Sequence, residues 1–396
     1  MLDKFLFFVK RFIPKPLFEY FQPKYHLALA FMASLLYGFP SRSLKVIGLT
    51  GTSGKTTTIE FLHEIFQEAV FKTASASGLR FKILEREEPN LLKMTTPGRF
   101  RIQKFLREAQ RAGCEYVFLE ITSQGILQSR HRFIKFYAAL LTNLSAEHLE
   151  AHGGFENYRE AKAKLFYAAP LHVLNADDPN FDFFSEIPAR ERIGFKSSDF
   201  PPHLELALKG EFNKMNALAA ITFAKHEGIP YDVSKRALEK ITSIPGRMEF
   251  IPTAKNFQVL VDYAFLPQTL EPVYKILKGE STALVCVLGA AGGGRDKWKR
   301  PLLGDVAAKY CRKVFVTNED PYDEEPLKIM NEVCGSHNFE KILDRREAVR
   351  EALKSARSGE SVVITGKGAE PWIMGSRGEK IPWDDRRMVR EELSKI

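Results

Sequence analysis

Residues 44–59 read LKVIGLTGTSGKTTTI, and this stretch decides how the rest of the chain is understood. An apolar strand runs into a glycine turn, and a lysine with three threonines opens a helix behind it. Backbone N–H groups across Gly51, Thr52, Ser53 and Gly54 can converge on phosphate oxygens in such a turn, and the helix adds the positive end of its dipole. Lys55 supplies a mobile charge for the outer phosphates, and Thr56, with Thr57 beside it, offers a hydroxyl to a Mg²⁺ shell. The long form of this motif has a glycine five residues before Gly54, where this chain has Leu49, so the shorter form G-T-x-G-K-T-T stands here. A Gly/Thr-rich loop with a chance lysine is the competing account, and it does not explain why strand, loop and helix fall in the right order. The expectation is a site for ATP or a close relative.

At 396 residues and 44% apolar content, the chain is long enough for two or three ordinary domains. Cys114, Cys286, Cys311 and Cys334 lie far apart with no C-x-x-C pair, which points to a reducing cytoplasm and away from structural zinc. The net charge is +9, and the cluster KWKR at 297–300 belongs to no known nucleic-acid module. A basic enzyme handling anionic, phosphorylated substrates is the simpler account, with no nucleic-acid partner.

Residues 1–44 differ in kind. Lys4, Lys10, Arg11, Lys15, Lys24 and Arg42 stand against Asp3 and Glu19, a net +4, with Phe5, Leu6, Phe7, Phe8, Phe12, Leu17, Phe18 and Phe21 between them. The nearly all-apolar run 27–39 is shorter than the roughly 20 residues a spanning helix needs. Its flanks lack a signal-peptide cleavage site. Two readings stay open: a pair of short helices packed on the first domain, or a basic amphipathic anchor on an anionic membrane surface.

Beyond the glycine turn, strand and helix alternate. Apolar runs at 116–121, 138–144 and 172–175 are separated by helical patterns such as 100–112. The alternation resumes with strands at 259–263, 284–288, 313–317 and 361–365 and helices at 266–277, 302–311 and 347–356. Near-continuous apolar strands with crossover helices predict parallel sheets with ligands at the strand C-terminal ends. The fold class is therefore α/β: a helical segment over 1–44, a central phosphate-loop ATPase domain with a parallel-rich sheet over 45–244, and a Rossmann-like α/β domain over 245–396.

Over about residues 45–396 the chain resembles the Mur ligases, and within them the UDP-N-acetylmuramoyl-tripeptide synthetases. The motifs come in family order: GTSGKTTT at 51–58, MTTPGRF at 94–100, EITSQGILQSR at 120–130, TNLSAEHLEAHG at 142–153 and EAKAKLF at 160–166. LNADDP at 174–179, GEFNKMNALAA at 210–220, PGRME at 245–249 and VDYA at 261–264 follow. GGGRDKWKRPLLG at 292–304, GKGAE at 366–370 and KIPWDDR at 380–386 complete the series.

The resemblance implies ATP-dependent ligation of a free amino acid onto a muramoyl-peptide carboxylate. The γ-phosphoryl group first activates the carboxylate as an acyl phosphate, which the amine then attacks, a reaction governed by positioning and charge neutralisation. Carried over residue by residue, Lys55 clamps phosphate, Thr56 and Glu120 hold Mg²⁺, and His148 holds a second Mg²⁺ supported by a carbamylated Lys162. Read alone, His148 is an ordinary loop residue and Lys162 a solvated helix face. Asn213 and Asn216 would present amides to adenine, Arg247 would reach the phosphates, and Asp262 the ribose. Helix capping is the other account of Asn213. Thr95, Thr96, Ser123, Gln128 and Arg130 match acceptor-binding positions, and Arg295, Gly366 and Glu370 match those for the amino acid.

Three departures matter. Diaminopimelate-adding members carry Asp-Asn-Pro-Arg where this chain has Glu319, Asp320, Pro321 and Tyr322, so the expectation is a pocket for an ammonium and L-lysine as substrate. Phe265 and Ala369 stand where the family has histidines. The 44 apolar and basic residues at the front stand where the family binds UDP, which leaves two donors open, a UDP-linked muramoyl peptide or a lipid-linked one met at the inner face of the membrane. Two alternatives remain: a folylpolyglutamate-synthetase-like ligase, and a non-catalytic nucleotide-binding module, against which stands the absence of a guanine-reading N-K-x-D.

Overall fold

The computed structural model describes residues 15–396, with side chains from residue 21 onward. Two sheets organise them. The first has eight strands: β1 (Lys45–Thr50), β2 (Thr73–Ala76), β3 (Arg80–Ile83), β4 (Arg86–Pro89), β5 (Tyr116–Glu120), β6 (Phe136–Leu141), β7 (Leu171–Asn175) and β8 (Glu191–Phe195). Their order is β4-β3-β2-β5-β1-β6-β7-β8, parallel from β2 to β8 with β3 and β4 added antiparallel at one edge.

The central strands are apolar on both faces because helices cover both. Ile47, Leu49, Phe118, Ala138 and Leu140 face Phe61, Leu62, Phe66 and Phe223 from the helices Lys55–Glu68 and Glu211–His226. Val46, Val117, Leu119 and Leu141 face Ile102, Phe105, Leu165 and Phe166 from Arg99–Arg111 and Phe155–Phe166.

The second sheet holds β9 (Glu249–Phe250), β10 (Gln258–Asp262), β11 (Leu284–Leu288), β12 (Lys313–Thr317), β13 (Glu340–Ile342) and β14 (Ser361–Thr365). Their order is β13-β12-β11-β14-β10-β9, parallel except for β9, and an antiparallel ribbon of β15 (Trp372–Met374) and β16 (Lys380–Pro382) follows. The architecture is thus α/β with mixed sheets. In the first sheet Leu49 pairs with Glu120 and Thr50 with Leu141, so the loops after β1, β5 and β6 leave from one edge. In the second, Asp262 pairs with Thr365. The two loop-bearing edges face each other.

One expectation is corrected here. Cys286 on β11 and Cys311, just past the helix Lys299–Tyr310, form a disulfide, so the inference of uniformly reduced cysteines does not hold. Their 25-residue separation gives no motif, but the helix returns Cys311 to within 6.1 Å (Cα–Cα) of Cys286. Cys114 and Cys334 are free and buried. At the front, the described residues hold a 22-residue helix, Lys15–Leu36, with Pro23 inside it and a short 3-10 turn, Pro40–Ser43, behind it. The expectations for Lys4, Lys10, Arg11 and the apolar residues among 1–14 lie outside the described residues. Among the described residues, no helix is long and apolar enough to cross a membrane.

Candidate active site

A cavity of about 410 Å³ opens between the two sheet edges. On its first-sheet side, Gly51 and Gly54 adopt φ +147° and +80°, and neither has room for a side chain. A Cβ on Gly51 would stand 2.0 Å from Thr142 Oγ1, and one on Gly54 2.2 Å from Asn216 Oδ1. Behind them the helix Lys55–Glu68 starts at the cavity, so its first N–H groups point there without intrahelical partners. Lys55 Nζ donates to the carbonyls of Gly51 (3.0 Å) and Thr52 (2.9 Å) and lies 3.9 Å from Glu120. Glu120 Oε2 accepts from the Thr56 hydroxyl and from the Gly78 N–H, both at 2.9 Å. A small hard cation that keeps several waters needs few protein oxygens, and this hydroxyl–carboxylate pair beside a phosphate cradle fits Mg²⁺ bound with a nucleotide. No group of three or more His, Cys, Asp or Glu suited to a metal occurs among the described residues.

Lys162 is buried, with its Nζ donating to the Gly51 carbonyl at 2.8 Å and lying over the Tyr158 ring. Burial, and after it the charge of Lys55, hold its ammonium well below the usual lysine range. His148 sits in the left-handed region (φ +57°) at the start of a short turn, with Nε2 3.5 Å from Glu147. Burial pushes its imidazole down to about 4, so it is neutral at pH 7 and one ring nitrogen keeps a lone pair that can coordinate.

On the helix Glu211–His226, Asn216 donates to Asn213 Oδ1 and accepts from the Thr58 hydroxyl, while Asn213 donates to the Lys209 carbonyl. Asp262 is buried, accepts from the Met248 and Ala264 N–H groups at 2.7 Å each, and has its carboxyl raised by burial. Arg247 lies with its guanidinium 4.3 Å over the Tyr263 ring. Beside it Gly246 (φ +64°) packs so closely that a Cβ would stand 2.3 Å from the Ala369 nitrogen and 2.7 Å from the Gly368 carbonyl carbon. Its N–H donates to Glu249, and Ile244 pairs with Arg247 in an isolated bridge.

Of the residues expected at the acceptor, Thr95, Ser123 and Arg130 line the cavity, whereas Thr96 and Gln128 do not. The Thr96 hydroxyl is buried and bonded to the Glu120 carbonyl, and Gln128 Oε1 accepts from Arg130. Arg130 and Arg99 lie near one another, and among the described residues neither has a carboxylate within ion-pair distance. Burial lowers Arg99, and burial followed by the Arg99 charge takes Arg130 down to about 10.

At the far end Arg295, Glu319, Asp320, Gly366 and Glu370 converge as expected from the sequence, but their pairing was not expected. Asp320 accepts from Lys93 (2.8 Å) and Lys367 (2.9 Å), and both ammonium groups also contact Glu370, which takes the Tyr263 hydroxyl at 3.0 Å. Asp320 is therefore neutralised by the protein itself. Glu319 Oε2 is buried without a partner and burial raises its carboxyl, while a Cβ on Gly366 would stand 2.2 Å from that oxygen. Lys299 is buried, lies over the Phe265 ring at 4.5 Å, and is lowered by burial. Sequence reasoning missed Lys93, Glu147, Lys299 and Lys367. Glu147 adjoins His148 and Lys299 lies inside the GGGRDKWKRPLLG run, so both carried a signal, whereas nothing local to Lys93 marks it.

Comparison with known proteins agrees with this geometry. The family described as Mur ligase middle domain matches residues 49–200, and that described as Mur ligase, glutamate ligase domain, matches 246–368. The UDP-N-acetylmuramoyl-L-alanyl-D-glutamate–2,6-diaminopimelate ligase of Syntrophomonas wolfei is 35% identical over 94% of this chain and 82% of its own length. A solved ligase of the same description is 29% identical, with TM-score 0.58 over 89% of this chain and 78% of that one. A Mycobacterium tuberculosis folylpolyglutamate synthase shares the fold at TM-score 0.71 and 17% identity, over 86% of this chain and 92% of that one.

Proposed function

This chain belongs to the Mur ligase family, and from that premise we propose how its own residues carry out the reaction. It is an ATP-dependent ligase that adds an amino acid to a UDP-linked muramoyl-peptide precursor. When bound, ATP supplies the phosphoryl group that activates the acceptor carboxylate, and Mg²⁺ offsets the phosphate charge. The turn Gly51, Thr52, Ser53, Gly54 with the helix start behind it serves as the phosphate loop of the central domain, Lys55 as the outer-phosphate cation, and Thr56 with Glu120 as the metal-holding pair. Asn213, Asn216, Arg247 and Asp262 form the nucleotide end, with the Rossmann-like sheet contributing the last two.

The observation that carries this reading is convergence. Strand ends, loops and helices of two separate sheets bring Lys55, Glu120, His148, Lys162, Arg295 and Glu370 onto one cavity. In the finer reading, Lys162 is carbamylated. A neutral amine attacks CO₂, forms an N–C bond and releases a proton, which gives a carboxylate beside His148 suited to a second Mg²⁺. The depressed ammonium and the neutral imidazole support it. Arg295 would receive the α-carboxylate of the incoming amino acid, with Gly366 and Glu370 around its amine, and Thr95, Ser123 and Arg130 would hold the acceptor. Peripheral membrane contact through residues 1–44 belongs to the same proposal.

Phosphate release from ATP, measured with UDP-linked muramoyl dipeptide and a panel of amino acids, tests it. Release is expected only when both acceptor and amino acid are present. Turnover that needs a folate in place of the muramoyl dipeptide would select the folylpolyglutamate reading instead.

A further inference from the structure

The helix Lys15–Leu36 is built the opposite way round from an ordinary surface helix. Its small residues Ala30, Ala33 and Ser34 are buried, and they let it lie close to the body of the protein, where it packs on the helix Arg99–Arg111. Its large apolar residues point outward. Phe21 and Tyr25 are each 52% exposed, Met32 48%, Leu35 60% and Leu36 68%, and Phe31 joins them. At 100° per residue these positions share one half of the helix surface. Phe133, from the loop after the helix Ser123–Leu127, extends the patch by packing its ring 5.4 Å from that of Phe31. A contiguous apolar surface of this kind marks an interaction site.

The rim identifies the partner. Arg42 stacks over Phe39 at 4.5 Å, the Lys135 N–H bonds Ser41, and Arg132 adjoins Phe133. Among the described residues no carboxylate pairs with Arg42, Arg132 or Lys135, and Lys24 lies over Phe21 at the other end of the face. A second copy docking through this same face would bring like charges together across its two-fold axis. An anionic lipid headgroup layer matches the rim, while aromatic and aliphatic side chains enter the acyl boundary beneath it. The direction of the cleft fits as well. Tyr25 lies close enough to Arg99 to act on its charge, Arg99 donates to the Gln128 carbonyl at 2.5 Å, and Arg130 of the cavity donates to the Gln128 side chain.

We propose that the outward face of the helix Lys15–Leu36, with its rim of Arg42, Arg132 and Lys135, seats on an anionic lipid bilayer and turns the acceptor end of the cleft toward that surface. Which end of the cleft takes the acceptor rests on the ligase reading. Docking itself does not, and it is measured without turnover.

The test is sedimentation of the full chain with phosphatidylglycerol-rich vesicles and with pure phosphatidylcholine vesicles at low and high salt. Binding to the anionic vesicles is expected, weakened by salt as screening removes the rim's contribution. Met32→Asp with Leu35→Asp should weaken it at least about tenfold, and Arg42→Glu with Lys135→Glu should remove the preference for anionic lipid. Val70→Asp, at an 89% exposed apolar residue on the opposite face of the sheet, should change nothing. All these sites are at the surface, so no variant's melting temperature should fall, and Val70→Asp, which relieves a β-branched residue at φ +65°, should raise it slightly. Absence of vesicle binding by the intact chain would overturn the proposal. So would binding that survives Met32→Asp and Leu35→Asp, or a self-associated species that those substitutions dissolve.

Discussion

Lys162 Nζ and the Gly51 carbonyl are 2.8 Å apart, which ties the buried lysine to the glycine turn ahead of the helix Lys55–Glu68. The amine therefore sits where a carboxylate made from it would face both the turn and His148. Lys162→Ala should be nearly inactive, and short carboxylic acids that occupy the vacated space should partly restore phosphate release. Full activity in the alanine variant would refute the carbamate.

Lys55→Ala should cut ATP turnover about 100- to 1,000-fold, the usual effect of removing one preorganised charge from a transition state. Its ammonium also ties down two carbonyls of its own turn, so the variant's melting temperature, measured beside the parent's, separates lost charge from a loosened loop. Steady-state kinetics with saturating substrates gives the measurement.

The choice of amino acid turns on Glu319 and its neighbours. Asp320 already carries Lys93 and Lys367, so Glu319 is the carboxyl left without a hydrogen-bond partner at its Oε2. L-lysine should be used in preference to diaminopimelate. Tyr322→Arg should shift the kcat/KM ratio toward diaminopimelate by about tenfold, roughly one charge-assisted bond. Tyr322 already adopts φ +52°, and arginine strains that backbone no more than tyrosine does. A wild-type enzyme that strongly prefers diaminopimelate would contradict this pocket.

Arg345 and Asp385 form a fully buried bidentate pair, with distances of 2.8 and 2.7 Å, and Arg345 also bonds the Thr365 carbonyl just before Gly366. Asp385→Ala leaves an uncompensated buried guanidinium and should cost about 3–5 kcal/mol. A chemical-denaturation midpoint reads the loss directly.

Stability should fall on mild acidification. His63, His131 and His148 are buried, and burial lowers each imidazole from about 6.5, His63 to about 3 and the other two to about 4. Between those values and 6.5 the unfolded chain binds protons that the folded chain refuses. The stabilisation is present above pH 6.5 and is lost as pH falls toward 4. Thermal melts across that window should show a falling melting temperature, and His131→Gln should flatten the slope.

The parallel strands were legible because both faces are covered: runs such as YVFLE and SVVIT carry almost no polar residue to confuse the period. β3 and β4 were not, since RFKI and REEP are short, charged and at a sheet edge. Pro23 obscured the front helix by standing inside it. Lys93 escaped notice because its partners lie 227 and 277 residues further along the chain, a distance no local pattern reports. Cys286 and Cys311 come together through the helix between them and the pairing of β11 with β12, which no local spacing reports.

Gly246 has a mechanical consequence. With Gly368 and Ala369 packed against its Cα, and its N–H bound to Glu249, it travels with the second sheet as one piece. The bridge between Ile244 and Arg247 extends that piece back to Ile244. Any swing of one sheet against the other must then be absorbed upstream, at 241–243, between the helix Tyr231–Lys240 and the bridge. Arg247 and the 366–370 loop are geared together on the far side of that pivot. Opening the cavity would withdraw both from the phosphate turn in a single stroke.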